Sequence, residues 1–167
     1  IDKIYIVTTE DYLSIIKEQI PLIDEKHIII EPAPRDTAPC LALTALHFLQ
    51  KNDDEVFAAV PADHYIPDNE VLQNALIKAE KEAEEDGTIL TLGIKPTRPE
   101  PGYGYIRAVE DNMNSQGLLK VKTFIEKPSK EVAEKLIMEE KTFWNSGMFI
   151  WKPSTIKYYM KKFQPDI

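Results

Sequence analysis

Val56-Phe57-Ala58-Ala59-Val60-Pro61-Ala62-Asp63-His64 is an apolar run that closes on a proline and a carboxylate. Five apolar residues in succession, four of them small or β-branched, predict a strand buried on both faces, as in the middle of a parallel sheet. Pro61 cannot donate to a ladder, so the strand should stop there and leave Asp63 just past its C-terminal end. In open α/β sheets ligands bind at that edge. A carboxylate held there by rigid strands is placed to hold a hard cation such as Mg²⁺ against a phosphate, or simply to cap a turn.

Outward from this stretch the chain alternates strand and helix. Upstream, Lys3–Val7 reads as a strand, Asp11–Ile20 as a helix capped by Asp11, and His27–Ile30 as a short buried strand. A second helix is predicted over Thr37–Gln50, with Asp36 or Thr37 as cap and Pro39 in the first turn, where its missing N–H costs little. Its body is apolar almost all round and should be deeply packed. Downstream come an amphipathic helix over Asn69–Asp86, with Leu72, Leu76, Ala79 and Ala83 at helical spacing, and a strand over Thr88–Ile94. The alternation predicts an α/β fold with a mostly parallel, twisted sheet and helices on both faces.

From Lys95 the texture changes. Pro96, Pro99 and Pro101 crowd a loop, Tyr103–Val109 and Val121–Ile125 read as strands, and Glu110–Gly117 as the turn between them. Ser129 should cap a helix reaching about Glu140. Met148–Trp151 is a last strand, and Pro153 opens a basic amphipathic helix ending near Phe163. With no repeat or low-complexity linker, residues 1–167 read as one domain.

Bulk properties narrow the classes. The chain is 43% hydrophobic and 29% charged, as in ordinary globular proteins, and no apolar run reaches membrane-spanning length. A net charge of −8 argues against a nucleic-acid binder that neutralises a phosphate backbone, though not against a small phosphorylated substrate. Cys40 is the only cysteine, which rules out an intrachain disulfide; it reads as a core residue in a protein of the reducing cytoplasm. Seventeen lysines stand against three arginines, Arg35, Arg98 and Arg107, all in segments with candidate chemistry, which suits phosphate or carboxylate recognition.

Four further segments carry that chemistry. Glu31-Pro32-Ala33-Pro34-Arg35-Asp36-Thr37-Ala38-Pro39 joins a buried strand to a buried helix, whose N-terminal N–H groups and dipole favour an anion. In Gly93–Ile106, Gly102 and Gly104 let a ligand approach the backbone closely. They form no dinucleotide fingerprint, because no third glycine follows and a strand comes next, which argues against a dehydrogenase. Glu126-Lys127-Pro128 places charges just after a strand, either for a sugar hydroxyl and a phosphate or as an exposed ion pair. Trp144-Asn145-Ser146-Gly147-Met148-Phe149 sets an amide and a hydroxyl beside an aromatic ring. His27, His47 and His64 lack metal-ligand spacing; His64 reads as support for Asp63 and the others as structural.

Taken in order, EPAPRDTAP, VPADHYI, GIKPTRPEPGYGYI, FIEKP and FWNSGMF, spread over residues 31–149, resemble the mannose-1-phosphate guanylyltransferases of the sugar-nucleotide pyrophosphorylase superfamily. The resemblance implies a Rossmann-like (GT-A-like) nucleotidyltransferase domain that converts GTP and mannose 1-phosphate to GDP-mannose and pyrophosphate with Mg²⁺. It implies that Asp63 is the metal ligand and catalytic residue, presented by Pro61 and Ala62. Glu31, Pro32, Arg35, Asp36 and Thr37 become the guanine-side wall. Gly102, Tyr103, Gly104 and Tyr105 line the sugar, with Glu126, Lys127, Asn145 and Ser146 as sugar-phosphate contacts. A homo-oligomer is compatible with this reading.

The chain also departs from the family pattern. The glycine-rich loop after the family's first strand has no counterpart here, and a later acidic residue of the metal site is expected beyond Ile167, so the chain reads as a domain truncated at both ends. Loss of a central first strand should leave two strand edges open. Asp36 stands where the family usually has Asn, and Pro101 where it usually has Thr; the first swap replaces a donor/acceptor amide by an acceptor-only carboxylate. The isolated chain is therefore expected to be inactive, either as the central part of a transferase or as a non-catalytic sugar-phosphate-binding module.

Overall fold

The computed structural model describes residues 2–85, 87–114 and 117–166, with the side chains of Glu110–Met113 also outside the description. In chain order its elements are β1 (Ile6–Thr9), α1 (Leu13–Gln19), β2 (Ile28–Glu31), α2 (Thr37–Gln50), β3 (Phe57–Ala59), α3 (Asn69–Ala83), β4 (Leu90–Ile94), β5 (Tyr105–Met113), β6 (Leu119–Ile125), α4 (Lys130–Leu136), β7 (Thr142–Trp151) and α5 (Pro153–Phe163). The chain divides into two compact units, changing over between Phe57 and Ala58 and again between Ile150 and Trp151, with Gly87 and Thr88 also in the first.

The first unit holds β1, α1, β2, α2 and α5. The crossover through α1 lets β1 and β2 pair in parallel, from Ile6 opposite Ile28 to Thr9 opposite Glu31. Helix α2 packs against α5 and buries Leu41, Ala45 and Phe48. Pro153 occupies the first turn of α5, and Asp54 accepts from the backbone N–H of Ser154 at 2.8 Å. Tyr5 gathers His27, His47 and Phe48 edge-on around it, which explains two histidines as packing residues.

The second unit is built on a five-stranded sheet of order β3-β7-β5-β6, with β4 also paired to β7. The α/β class holds, with helices on both sides of a sheet, but the mostly parallel expectation does not. The pairs β4–β7, β5–β6 and β5–β7 are all antiparallel, so the chain is a mixed α/β protein. Connection length is one cause: five residues join β5 to β6 as a hairpin, too few for the crossover that parallel pairing needs. That hairpin is shorter than the expected Glu110–Gly117 turn, since β5 runs to Met113; Ser115 and Gln116 lie outside the described residues. So does Asp86, the expected end of α3, which closes at Ala83 behind an Asp68 cap.

The opening run is also corrected. Only Phe57–Ala59 is strand, β3 ends the strand order, and Ala58 and Val60 are exposed on one face. The apolar residues are there, but the cover on both faces is not. Helix α4, capped by the Ser129 hydroxyl, closes the core over Tyr105, Ala133, Leu136 and Trp144.

Candidate functional site

Strand β7 is the scaffold. From Asn145 to Phe149 it advances four residues where β4 advances two, Gly93 to Thr91, so β7 bulges between them. Gly147 sits in the bulge at φ 73°, a conformation that costs glycine nothing and strains other residues. A Cβ on Gly147 would stand 3.4 Å from Pro61 Cγ, so the turn after β3 lies against the bulge. That turn presents Asp63, whose side chain is 89% exposed, with His64 Nε2 at 4.0 Å.

Around the bulge three sequence motifs converge. The Asn145 N–H donates to the Gly104 carbonyl at 2.8 Å. A Cβ on Gly104 would meet Glu126 Oε2 at 2.7 Å and Asn145 Cβ at 3.5 Å. Only glycine therefore leaves this corner as it is. Lys127 follows Glu126 at φ 42°, in the left-handed region that non-glycine residues avoid, with its Nζ 3.8 Å from Glu126 Oε1 and both heads exposed. The Asn145 side-chain oxygen accepts from Gly147 N–H at 3.2 Å and Thr91 Oγ1 at 3.1 Å.

Two expected contacts are turned away from this surface. Tyr105 is fully buried in the core, and its hydroxyl accepts from Glu100 N–H at 2.8 Å. Ser146 is buried and its hydroxyl accepts from Met148 N–H at 3.2 Å. Strand geometry is the reason: Tyr105 follows Gly104, and Ser146 follows Asn145, so each takes the opposite face. Neither side chain lines the site. Tyr103 is partly exposed and meets Trp144 edge-on with ring centroids 5.2 Å apart.

The arginines resolve differently from what their placement suggests. Arg98 lies over the Trp144 ring at 5.4 Å and pairs with Glu100 at 3.4 Å, while Glu100 also accepts from Gly102 N–H at 3.1 Å. It staples the glycine loop to the core. Arg107 pairs with Glu139 at 2.6 Å. The Arg98–Trp144 and Arg107–Glu139 contacts, and the hydroxyl of Thr91, carry no signal in the one-dimensional pattern, because they depend on partners that only the fold brings near.

The remaining expected residues lie in the first unit. Glu31 ends β2, and Pro32, Arg35, Asp36 and Thr37 lead into α2. Asp36 occupies the N-cap position at φ 63°, ψ −174°, but its side chain makes no cap hydrogen bond. Cys40 is half-buried rather than in the core; burial, then the neighbouring Glu31 carboxylate, push its thiol from the usual 9.0 up to about 11. Among the described residues no group of three or more His, Cys, Asp or Glu side chains could hold a metal. Among the same residues no helix is long and apolar enough to cross a membrane.

The chain belongs to the nucleotidyl transferase family, which matches residues 1–166. It is 38% identical over 164 residues to the alginate biosynthesis protein AlgA of Pseudomonas fluorescens. It is also 38% identical over 163 residues to a putative mannose-1-phosphate guanylyltransferase of Vibrio cholerae. Each alignment covers 97% of this chain, which spans 34% of each relative's length. A solved structure from Thermus thermophilus, described as a mannose-1-phosphate geranyltransferase, superposes with a TM-score of 0.84 at 30% identity, covering 95% of this chain and 45% of the other.

Proposed function

We propose that this chain is part of the nucleotidyltransferase domain of a cytoplasmic mannose-1-phosphate guanylyltransferase, acting on GTP and mannose 1-phosphate. The convergence of Gly104, Glu126 and Asn145 at the β7 bulge carries the reading, supported by relatives of that name. The chemistry asks little covalent help of the protein. A phosphate oxygen of mannose 1-phosphate attacks the α-phosphorus of GTP, a new P–O bond forms, the α–β bridge breaks, and pyrophosphate leaves with the electron pair. An ionised phosphate needs no general base, so catalysis is positioning and charge neutralisation.

Each residue then has a task. Glu126 accepts from sugar hydroxyls, the Asn145 amide donates to the sugar, and Lys127 sets an ammonium toward its phosphate. Gly102 and Gly104 let the sugar approach the backbone, and Tyr103 flanks it. Glu31, Pro32, Arg35, Asp36 and Thr37 are the nucleobase wall. Pro61 and Ala62 set Asp63, whose carboxylate would hold an Mg²⁺, and the ion would supply neutralisation of phosphate charge.

A second reading for residues 1–167, which span 34% of each relative's length, is binding without turnover. Pyrophosphate release from GTP, mannose 1-phosphate and Mg²⁺ tests both. The full-length protein should turn over and Asp63→Ala should abolish it, while residues 1–167 alone should stay silent. Turnover with other sugar 1-phosphates but none with mannose 1-phosphate sinks the assignment.

A further inference from the structure

Strand β4 contributes a residue that no motif of the site contains. Thr91 Oγ1 lies 3.1 Å from Asn145 Oδ1 and 2.9 Å from the Met148 carbonyl, so its one hydroxyl proton has two acceptors, one at each end of the β7 bulge. The backbone N–H of Gly147 points at the same Asn145 oxygen from 3.2 Å. A backbone N–H can only donate, so the atom facing it is the amide oxygen, and the amide sense of Asn145 is settled by that bond. Its –NH₂ then faces away from Thr91 and Gly147, with both protons free of partners among the described residues. The main chain of Asn145 is held by Gly104, whose absent side chain leaves room for the Glu126 carboxylate.

We infer that Thr91 is a positioning residue for sugar-phosphate recognition: its hydroxyl holds the Asn145 amide so that the –NH₂ is offered to a sugar oxygen. This rests on the reading of Asn145 as a sugar contact. Gly147 N–H fixes which end of the amide points inward but sits in a bulge. Thr91 sits in the neighbouring ladder and spans both ends of that bulge, Asn145 and Met148, so removing its hydroxyl frees the Asn145 rotamer as well as one hydrogen bond. The preorganised donor is the quantity lost, and it bears on sugar binding rather than on GTP.

The test uses the full-length protein and the variants Thr91→Val, Thr91→Ser, Asn145→Ala and the double Thr91→Val/Asn145→Ala. Thr91→Val should raise the KM for mannose 1-phosphate about tenfold with the KM for GTP and kcat little changed, the size expected for one lost hydrogen bond to a binding group. Thr91→Ser, which keeps the hydroxyl, should stay near wild type. In the Asn145→Ala background Thr91→Val should add nothing, which a general packing defect would not reproduce. Equal damage from Val and Ser, an additive double variant, or KM rising for both substrates alike overturns the inference. If Asn145→Ala itself leaves the KM for mannose 1-phosphate unchanged in an active enzyme, the sugar-contact reading falls instead. Should Thr91→Val not fold, Thr91→Ala against Thr91→Ser carries the same comparison.

Discussion

Glu126 Oε2 stands 2.7 Å from the point where a Cβ on Gly104 would be, closer than real Cβ contacts come, so the carboxylate occupies the space that glycine leaves open. The backbone of Gly104 is not in the left-handed region, which separates two effects that glycine positions usually mix. What the site uses here is the missing side chain, not conformational freedom.

Gly104→Ala should therefore affect function far more than stability. The obstructed atom is the end of an exposed, flexible side chain, so Glu126 swings away and unfolding free energy changes by no more than about 0.5 kcal/mol. On the proposed function the displaced carboxylate would no longer meet the sugar, and the KM for mannose 1-phosphate should rise at least about tenfold, since an ångström of misplacement is costly at a binding centre. Steady-state kinetics beside chemical denaturation check both halves. Wild-type kinetics would show that Glu126 does not serve the sugar.

Arg107 tests whether scarcity of arginine is a functional signal. Its guanidinium pairs with Glu139 on the surface, with the two side chains 35% and 43% exposed. Such pairs contribute about 0–1 kcal/mol. Arg107→Ala should lower unfolding free energy by that amount and leave both KM values unchanged. A selective rise in KM for either phosphate substrate would return Arg107 to the site.

How much of this structure is legible in the chain depends on how local each determinant is. Helix α2 runs over Thr37–Gln50 as expected, Ser129 caps α4 and Pro153 opens α5, because caps and first-turn prolines act on their own neighbours. Strand β7 begins six residues before the expected Met148, because Asn145 and Ser146 are poor strand formers and Gly147 sits in a bulge, so only pairing with β4 and β5 on either side carries the strand through them. The convergence of Gly104, Glu126 and Asn145 follows the motifs. The inward turn of Tyr105 and Ser146 is available from the two-residue period of a strand, and is lost when each motif is taken as a block. Thr91 and Arg98 are silent in the sequence, since the partner lies 54 residues away in one case and on a separate strand in the other.

Asp36 offers a stability test in the first unit. At φ 63°, ψ −174° it holds a backbone region that is essentially glycine's, and its side chain forms no cap bond in return. Asp36→Gly should stabilise by about 1 kcal/mol in urea unfolding, the lower range of the strain such a residue carries. If Asp36 also contacts the nucleobase, the same substitution should raise the KM for GTP. Stability unchanged or reduced would mean the carboxylate makes a contact that offsets the strain.

Cys40 gives a pH signature. Burial, followed by the Glu31 carboxylate, holds its thiol pKa at about 11 against 9.0 in the unfolded chain, so the folded state retains the proton that the unfolded state releases between those values. The unfolded chain then binds fewer protons, and the contribution of this group to stability should be constant below pH 9 and fall between about pH 9 and 11. The thiolate is the reactive form, so iodoacetamide labelling of the native protein at about pH 8 should be much slower than for a free thiol and should accelerate with a midpoint near 11. Glu31→Gln removes the second cause and leaves the first, which moves the midpoint down but keeps it above 9.0. A native labelling midpoint at or below 9.0 would place the thiol in open solvent and separate it from Glu31.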